Sequence, residues 1–182
     1  MLSMEKEVAV VRANIYFLEQ GVSLLSSISN EEYSFNNGKY FNSGIGRHFR
    51  HIIDHYLSFI HYSNNKINYD QRDRDVELEV NRKLAVSTFR SIIESLEKFE
   101  ITPDLIDRKI KVKSNEGVTD LNSPWSESSV RRELQFLISH TVHHYALIGI
   151  ILKTMAVYIP ENFGKAPSTL KHELRNERIK AS

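Results

Sequence analysis

The stretch Leu137-Ile138-Ser139-His140-Thr141-Val142-His143-His144-Tyr145-Ala146-Leu147-Ile148 is apolar, has a helical pattern and is rich in histidine. On an α-helix, residues four apart share one face and lie about 6 Å apart along the axis. His140 and His144 have this spacing, so both imidazoles can point at one atom. A buried imidazole needs a partner for each ring nitrogen. A divalent metal ion is the economical partner for two imidazoles on one apolar face.

Apolar side chains recur at three- and four-residue steps in four segments, which is the spacing of amphipathic helices. Ser43 is a suitable N-cap for the second helix. Ser123 followed by Pro124 suits the start of the fourth, since serine caps and proline fits the first helical position. The predicted helices span residues 5–29, 43–64, 76–99 and 123–154.

The connections contain the turn-forming and charged residues of this chain. Residues 100–122 are predicted as the only sizeable non-helical segment, and within it residues 106–113 form at best a short hairpin strand. Its turn would lie at Asn115-Glu116-Gly117. Other connections are a turn at 36–38, a charged loop at 70–75 and a tail from 163 with one short helix.

Four amphipathic helices joined by loops predict an all-α four-helix bundle, with a loop or short hairpin between its third and fourth helices. At 182 residues the chain is long enough to bury a core, and we expect a single domain over 1–182. Metal sites in such bundles are built from inward side chains on facing helices. Because bundle faces readily pair, the sequence favours a homodimer.

The composition narrows the partners and the chemistry. The chain has no cysteine, which excludes disulfides and cysteine nucleophiles and leaves imidazole and carboxylate as metal ligands. A net charge of +1 with interspersed signs gives no indication of nucleic-acid binding. The first seven residues lack a signal-peptide pattern, and the apolar run 145–152 is too short to span a bilayer. We therefore expect a cytoplasmic protein without a membrane partner.

Three further histidines lie on the predicted second helix. His48, His51 and His55 form one stripe beside its apolar sector, and the helical wheel does not choose a ligand among them. A lone histidine on an apolar face is usually a hydrogen-bonded core residue. Several histidines that converge would repel one another if protonated, and metal coordination holds them neutral. His61 and His172 are expected at the surface.

Two of these segments carry a resemblance to a known family. Ile45-Gly46-Arg47-His48-Phe49-Arg50-His51-Ile52 resembles the second-helix motif of the DinB/YfiT-like superfamily of metal-binding four-helix bundles, in which a β-branched residue precedes the ligand histidine by six. The segment 140–144 resembles that family's H-x-x-H-H motif, whose first and last histidines are ligands. The resemblance implies His51, His140 and His144 as the metal ligands. Many relatives continue with Arg-Gly-Gln, where this chain has Tyr145-Ala146-Leu147.

Three imidazoles leave one coordination position open, which is typical of a catalytic site. Members of this superfamily include thiol-dependent transferases and isomerases and metal-dependent hydrolases. The resemblance therefore implies an activity of one of these kinds. We therefore expect a zinc, nickel or iron enzyme of hydrolase or thiol S-transferase type, which activates water or a low-molecular-weight thiol as a small-molecule substrate. No catalytic residue beyond the ligands is assigned from the sequence.

The alternative is a non-catalytic bundle, stabilised by its metal, with a stress-related binding role. A structural site would be closed by a fourth protein ligand, for which His48, His55 and Glu133 are the candidates. A third hypothesis is that the histidines are core residues and hold no metal. Candidates to orient the ligands or donate to the site are Glu133, Asp54 and Tyr145.

Overall fold

A computed structural model describes residues 2–36, 43–115, 117 and 123–180. Four long helices carry most of this part of the chain: α1 (Leu2–Ser27), α3 (Ile45–Ile60), α5 (Arg82–Ile101) and α6 (Val130–Thr154). The shorter elements are α2 (Asn30–Ser34), β1 (Lys66–Asn68), α4 (Glu77–Val80), a 3-10 turn (Pro103–Leu105), β2 (Lys109–Lys113), β3 (Ser126–Ser129) and α7 (Pro167–Lys180). The prediction of a mainly helical protein is confirmed.

The long helices form the core by packing on two neighbours each. Helices α1 and α3 both pack against α5 and α6. Their apolar faces meet in one cluster, in which the ring of Phe49 lies 5.9 Å from Phe89 and 6.0 Å from Tyr145. Full burial of one such side chain contributes about 1.5–3 kcal/mol. Apolar burial therefore holds the four helices together.

A buried polar network fixes the position of α3 against α1 and α6. The hydroxyl of Tyr56 donates to Oδ1 of Asn14 at 2.8 Å, and Nδ2 of Asn14 donates to the carbonyl of Leu134 at 3.1 Å. Thr141, also fully buried, lies within 3.5 Å of the Tyr56 hydroxyl. Buried polar groups are costly unless paired, so this network selects one register of the helices. In α3 and in α6 a histidine, His55 or His140, directly precedes a residue of this network.

The structure is not strictly all-α, because three short strands form a mixed sheet. Strand β1 pairs in parallel with β2, and β2 pairs antiparallel with β3. The buried side chains are Ile67 in β1 and Ile110 in β2. A strand of three to five residues with one buried position has too few alternations to show a period of two. For that reason the sequence indicated only one strand of the three.

The predicted start of the fourth helix is wrong. Residues 126–129 belong to β3, where Ser128 pairs with Ile110. The helix therefore begins at Val130, and Ser129 is its N-cap, with a side chain that accepts from the backbone N–H of Arg132. Cross-strand pairing with β2 outweighs the favourable Ser123-Pro124 start signal.

The second and third predicted helices are also shorter in the structure than the sequence predicted. Gly44, not Ser43, is the N-cap of α3, and the chain leaves the helix after Ile60 and turns at Asn64 and Asn65, whose φ angles are 52° and 55°. The third predicted helix is divided at Asn81, whose side chain caps α5. Residues 61–76 are also non-helical, so 100–122 is not the only sizeable segment of that kind. Residues 37, 38 and 116 of the predicted turns lie outside the described residues.

By length and composition alone, the helices Val8–Ser27 and Val130–Thr154 are apolar enough to cross a membrane. Both pack against other helices of this fold. A core helix of this length meets the same criterion, so the finding is weak evidence for a membrane location.

Candidate metal centre

The three histidines predicted as ligands lie together where α3 faces α6. One ring nitrogen from each of His51, His140 and His144 lies within 4.8 Å of the other two. The Nε2 atoms of His140 and His144 are 3.2 Å apart. Two nitrogens bound to one ion at 2.0–2.1 Å, at tetrahedral or right angles, are separated by about 2.8–3.4 Å. The separation therefore fits two ligands of one ion.

His48 lies beside these three as a hydrogen-bond partner of His144. Its Nδ1 is 3.0 Å from Nδ1 of His144, and its Nε2 is 3.3 Å from Oγ of Ser43. If His144 binds an ion through Nε2, its Nδ1 carries a proton and donates it to His48. His48 then donates from Nε2 to Ser43. One assignment of protons satisfies every group, and outer contacts of this kind orient a ligand imidazole.

His55 is close to the centre but its Nδ1 is already engaged. That atom lies 2.8 Å from the backbone carbonyl of His51, and a carbonyl only accepts, so Nδ1 of His55 carries the proton. The His55 ring lies 4.0 Å from that of His140, centre to centre, and stacks on Tyr69. His55 thus covers the buried side of the centre. It is also the nearest histidine that could complete a closed site.

Arg72 makes a contact with His51 that the sequence did not indicate. Its Nη1 is 2.9 Å from Nδ1 of His51, and a guanidinium only donates, so this Nδ1 accepts. Binding of an ion through Nε2 of His51 would move the ring proton to Nδ1. That proton would end the hydrogen bond from Arg72 and free its guanidinium.

Burial keeps the candidate ligands neutral. Burial, followed by the charge of the neighbouring histidines, lowers the pKa of His51 to about 2 and the pKa values of His140 and His144 to about 3. Neutral imidazole is the form that binds metals. In addition, Nδ1 of His140 is buried without a hydrogen-bond partner among the described residues. A neutral three-nitrogen donor set suits zinc, nickel or iron.

The other residues proposed for the site lie elsewhere. Asp54 accepts from Arg50 at 2.8 Å, and Glu133 accepts from Ser128. The hydroxyl of the fully buried Tyr145 donates to the backbone carbonyl of Phe17 in α1 at 2.8 Å. Among the described contacts, none joins these three to the candidate ligands. Among the described residues, His48 makes the contact that would orient a ligand imidazole, and the sequence indicated it only as a candidate fourth ligand.

The remaining histidines are exposed, as the sequence indicated for His61 and His172. His143 is on the solvent side of α6, although its ring lies 5.1 Å from that of His144. His61 and His172 are also exposed. Their positions remove them from the candidate metal centre.

One side of the centre opens onto a cavity of about 510 Å³. His51 and His144 contribute to its wall, so a small molecule in the cavity can reach them. The other lining residues are Ser43, Arg47, His48, Arg50, Arg72 and Arg74. Pockets that bind small molecules have volumes of about 300–1,000 Å³.

The sequence was also compared with known proteins. No family model matches the chain. It is 33% identical over 106 residues to a protein from Rhizopus delemar named FK506-binding protein 5. The aligned part is 58% of this chain and 27% of that protein, so this chain spans about a quarter of the relative. That name belongs to the whole relative, and the match alone does not show a family.

Proposed function

We propose that this chain is a four-helix-bundle protein of the DinB/YfiT-like superfamily and a metal-dependent enzyme of hydrolase or thiol S-transferase type. The observation that carries the proposal is the group formed by His51, His140 and His144, whose ligand nitrogens lie within 4.8 Å of one another beside an open cavity. The packing of α1 and α3 against α5 and α6 supports the bundle.

In this proposal His51, His140 and His144 would hold a divalent zinc, nickel or iron ion, and three protein ligands would leave a position for water or a substrate. When bound, the ion supplies Lewis acidity that lowers the pKa of a coordinated water or thiol. His48 and Ser43 hold the ring of His144 in the ligating orientation. His55 and Tyr69 stack behind the centre and exclude water from its buried side.

The alternative is a metal-stabilised bundle without catalysis, with a stress-related binding role. The 4.0 Å between the ring centres of His55 and His140 favours this alternative, because a small rotation of His55 would supply a fourth ligand. A closed four-ligand site has no position for water or substrate. The two functions therefore differ in whether an external ligand can reach the ion.

The experiment begins with elemental analysis of protein expressed without a polyhistidine tag, then chelation and reloading. The protein should bind one equivalent of metal. Cobalt-loaded protein is next titrated with a low-molecular-weight thiol and with azide, while the visible spectrum is recorded. A spectral change at one equivalent supports the open enzymatic site. Metal binding without any spectral response would leave only the structural alternative, and absence of metal binding would refute both.

Further proposals concern the cellular context. We propose a cytoplasmic location and a small-molecule partner, supported by the absence of cysteine and by the cavity. A net charge of +1 supports the absence of a nucleic-acid partner. We also propose a homodimer, because bundle faces readily pair. Sedimentation that gives a strict monomer at high protein concentration would refute the dimer.

A further inference from the structure

The cavity beside the candidate metal centre is lined by cations and lacks carboxylates in its described wall. Arg47, Arg50, Arg72 and Arg74 line it together with three histidines and Ser43. Cationic walls in a concave, partly dry site attract anions and raise their local concentration. The question is which of these charges are already neutralised by the protein.

The charge of Arg50 is neutralised inside the fold. Its Nη1 donates to Asp54 at 2.8 Å and its Nε donates to Glu79 at 2.7 Å. Both carboxylates therefore form ion pairs with Arg50. Arg50 belongs to the structural contacts between α3 and α4 and leaves little positive charge for a ligand.

Arg72 is in the opposite situation. It forms no ion pair with a carboxylate among the described residues, and its Nε is buried without a hydrogen-bond partner. Burial lowers its pKa; the nearby Asp54 opposes this, and Arg74 and Arg50 add to the lowering. Its contacts to ring nitrogens come from Nη1, which lies 2.9 Å from Nδ1 of His51 and 3.2 Å from Nδ1 of His55. A half-buried guanidinium with unused donors is costly unless a ligand pairs with it.

The guanidinium fork matches two oxygens of a carboxylate or a phosphate. Arg74 lies two residues further along the same loop, and Arg47 lies on the exposed side of α3. We propose that this cavity binds the carboxylate or phosphate group of a small anionic ligand, held by Arg72 next to His51. The inference rests on the proposed function to the extent that this ligand is the substrate of the metal centre.

The test is isothermal titration of chelator-treated protein with malonate and, separately, with inorganic phosphate at low ionic strength. Without metal, an anion cannot bind by coordination, so the measurement isolates the arginines. Wild-type protein should bind one equivalent of at least one anion, and the better probe distinguishes carboxylate from phosphate. Charge-assisted hydrogen bonds predict that Arg72→Gln weakens binding by about 10- to 150-fold. Arg72→Lys should be intermediate, because it keeps the charge and loses the fork.

The matched control is Arg90→Gln, which removes an arginine that lines a different cavity on α5 and should bind like wild type. Arg74→Gln is a second test variant on an exposed side chain, and it should weaken binding less than Arg72→Gln. Equal anion affinity in wild type and both test variants, or no anion binding by wild type, would overturn the inference. Metal binding is measured on the same preparations. Metal binding without anion binding refutes this inference alone, and anion binding without metal binding refutes the proposed function alone.

Discussion

The assignment of His140 and His144, and not His143, as ligands gives a graded prediction for three alanine variants. His140 lies inward with Nε2 at 3.2 Å from Nε2 of His144, whereas His143 is exposed. His48 contacts His144 without being assigned as a ligand. We therefore expect metal affinity to fall most for His140→Ala, less for His48→Ala and hardly at all for His143→Ala.

The magnitude follows from mass action. Metal at 100 times the wild-type dissociation constant stabilises the folded state by about 2.7 kcal/mol. For a chain of this size, 1 kcal/mol shifts the melting temperature by about 2–4 °C, so metal should raise it by about 5–11 °C. Loss of an outer partner weakens binding by about 10- to 100-fold, which leaves about 0.4–1.4 kcal/mol and a shift of about 1–6 °C for His48→Ala.

Loss of a ligand should weaken metal binding by more than 100-fold. Metal at the same concentration should therefore raise the melting temperature of His140→Ala by less than about 2 °C. The assay is the difference between melts with and without metal, which cancels any change in the stability of the metal-free protein. Competition with a chromophoric chelator gives the affinities independently. If His143→Ala loses as much of the metal-induced shift as His140→Ala, the assignment on α6 is wrong. An equal loss for His48→Ala would make His48 a ligand.

Two further predictions concern the metal-free protein. A Cβ added at Gly46 would lie 1.9 Å from the backbone oxygen of Glu79, so Gly46→Ala should destabilise the fold by about 1–3 kcal/mol in urea unfolding. The control is Gly149→Ala on α6, where an added Cβ has no neighbour within 4 Å, and it should stabilise the protein by about 0.5–1 kcal/mol. Equal changes in the free energy of unfolding for the two variants would refute the α3–α4 contact. Since the pKa values of His51, His140 and His144 are lowered in the folded protein, it binds fewer protons than the unfolded chain below about pH 6.5. The free energy of unfolding should therefore fall as the pH drops from about 6.5 towards 3. Each histidine contributes at most about 1.4 kcal/mol per pH unit, less where solvent screens it, and melts that are unchanged between about pH 7 and pH 5 would contradict this.

The sequence by itself determined the four long helices in outline and the inward direction of His140 and His144. Apolar spacing over twenty or more residues is a strong local signal, and the i, i+4 pair His140 and His144 followed from helix geometry alone. Their inward direction could be calculated from the wheel, which placed His143 near the edge of the apolar face. The choice of His51 among three neighbours came from a resemblance, because local geometry left all three equivalent.

Only the tertiary structure decided what surrounds those histidines. The short strand β1 pairs with β2 some forty residues later, and no local pattern records such a contact. That pairing fixes one end of the loop that carries Arg72, where the guanidinium meets His51. The role of His48 likewise depends on His144, which lies 96 positions away and reaches it only when α3 packs on α6. Periodicity specifies which face of a helix is buried, and long-range packing specifies which side chains meet there.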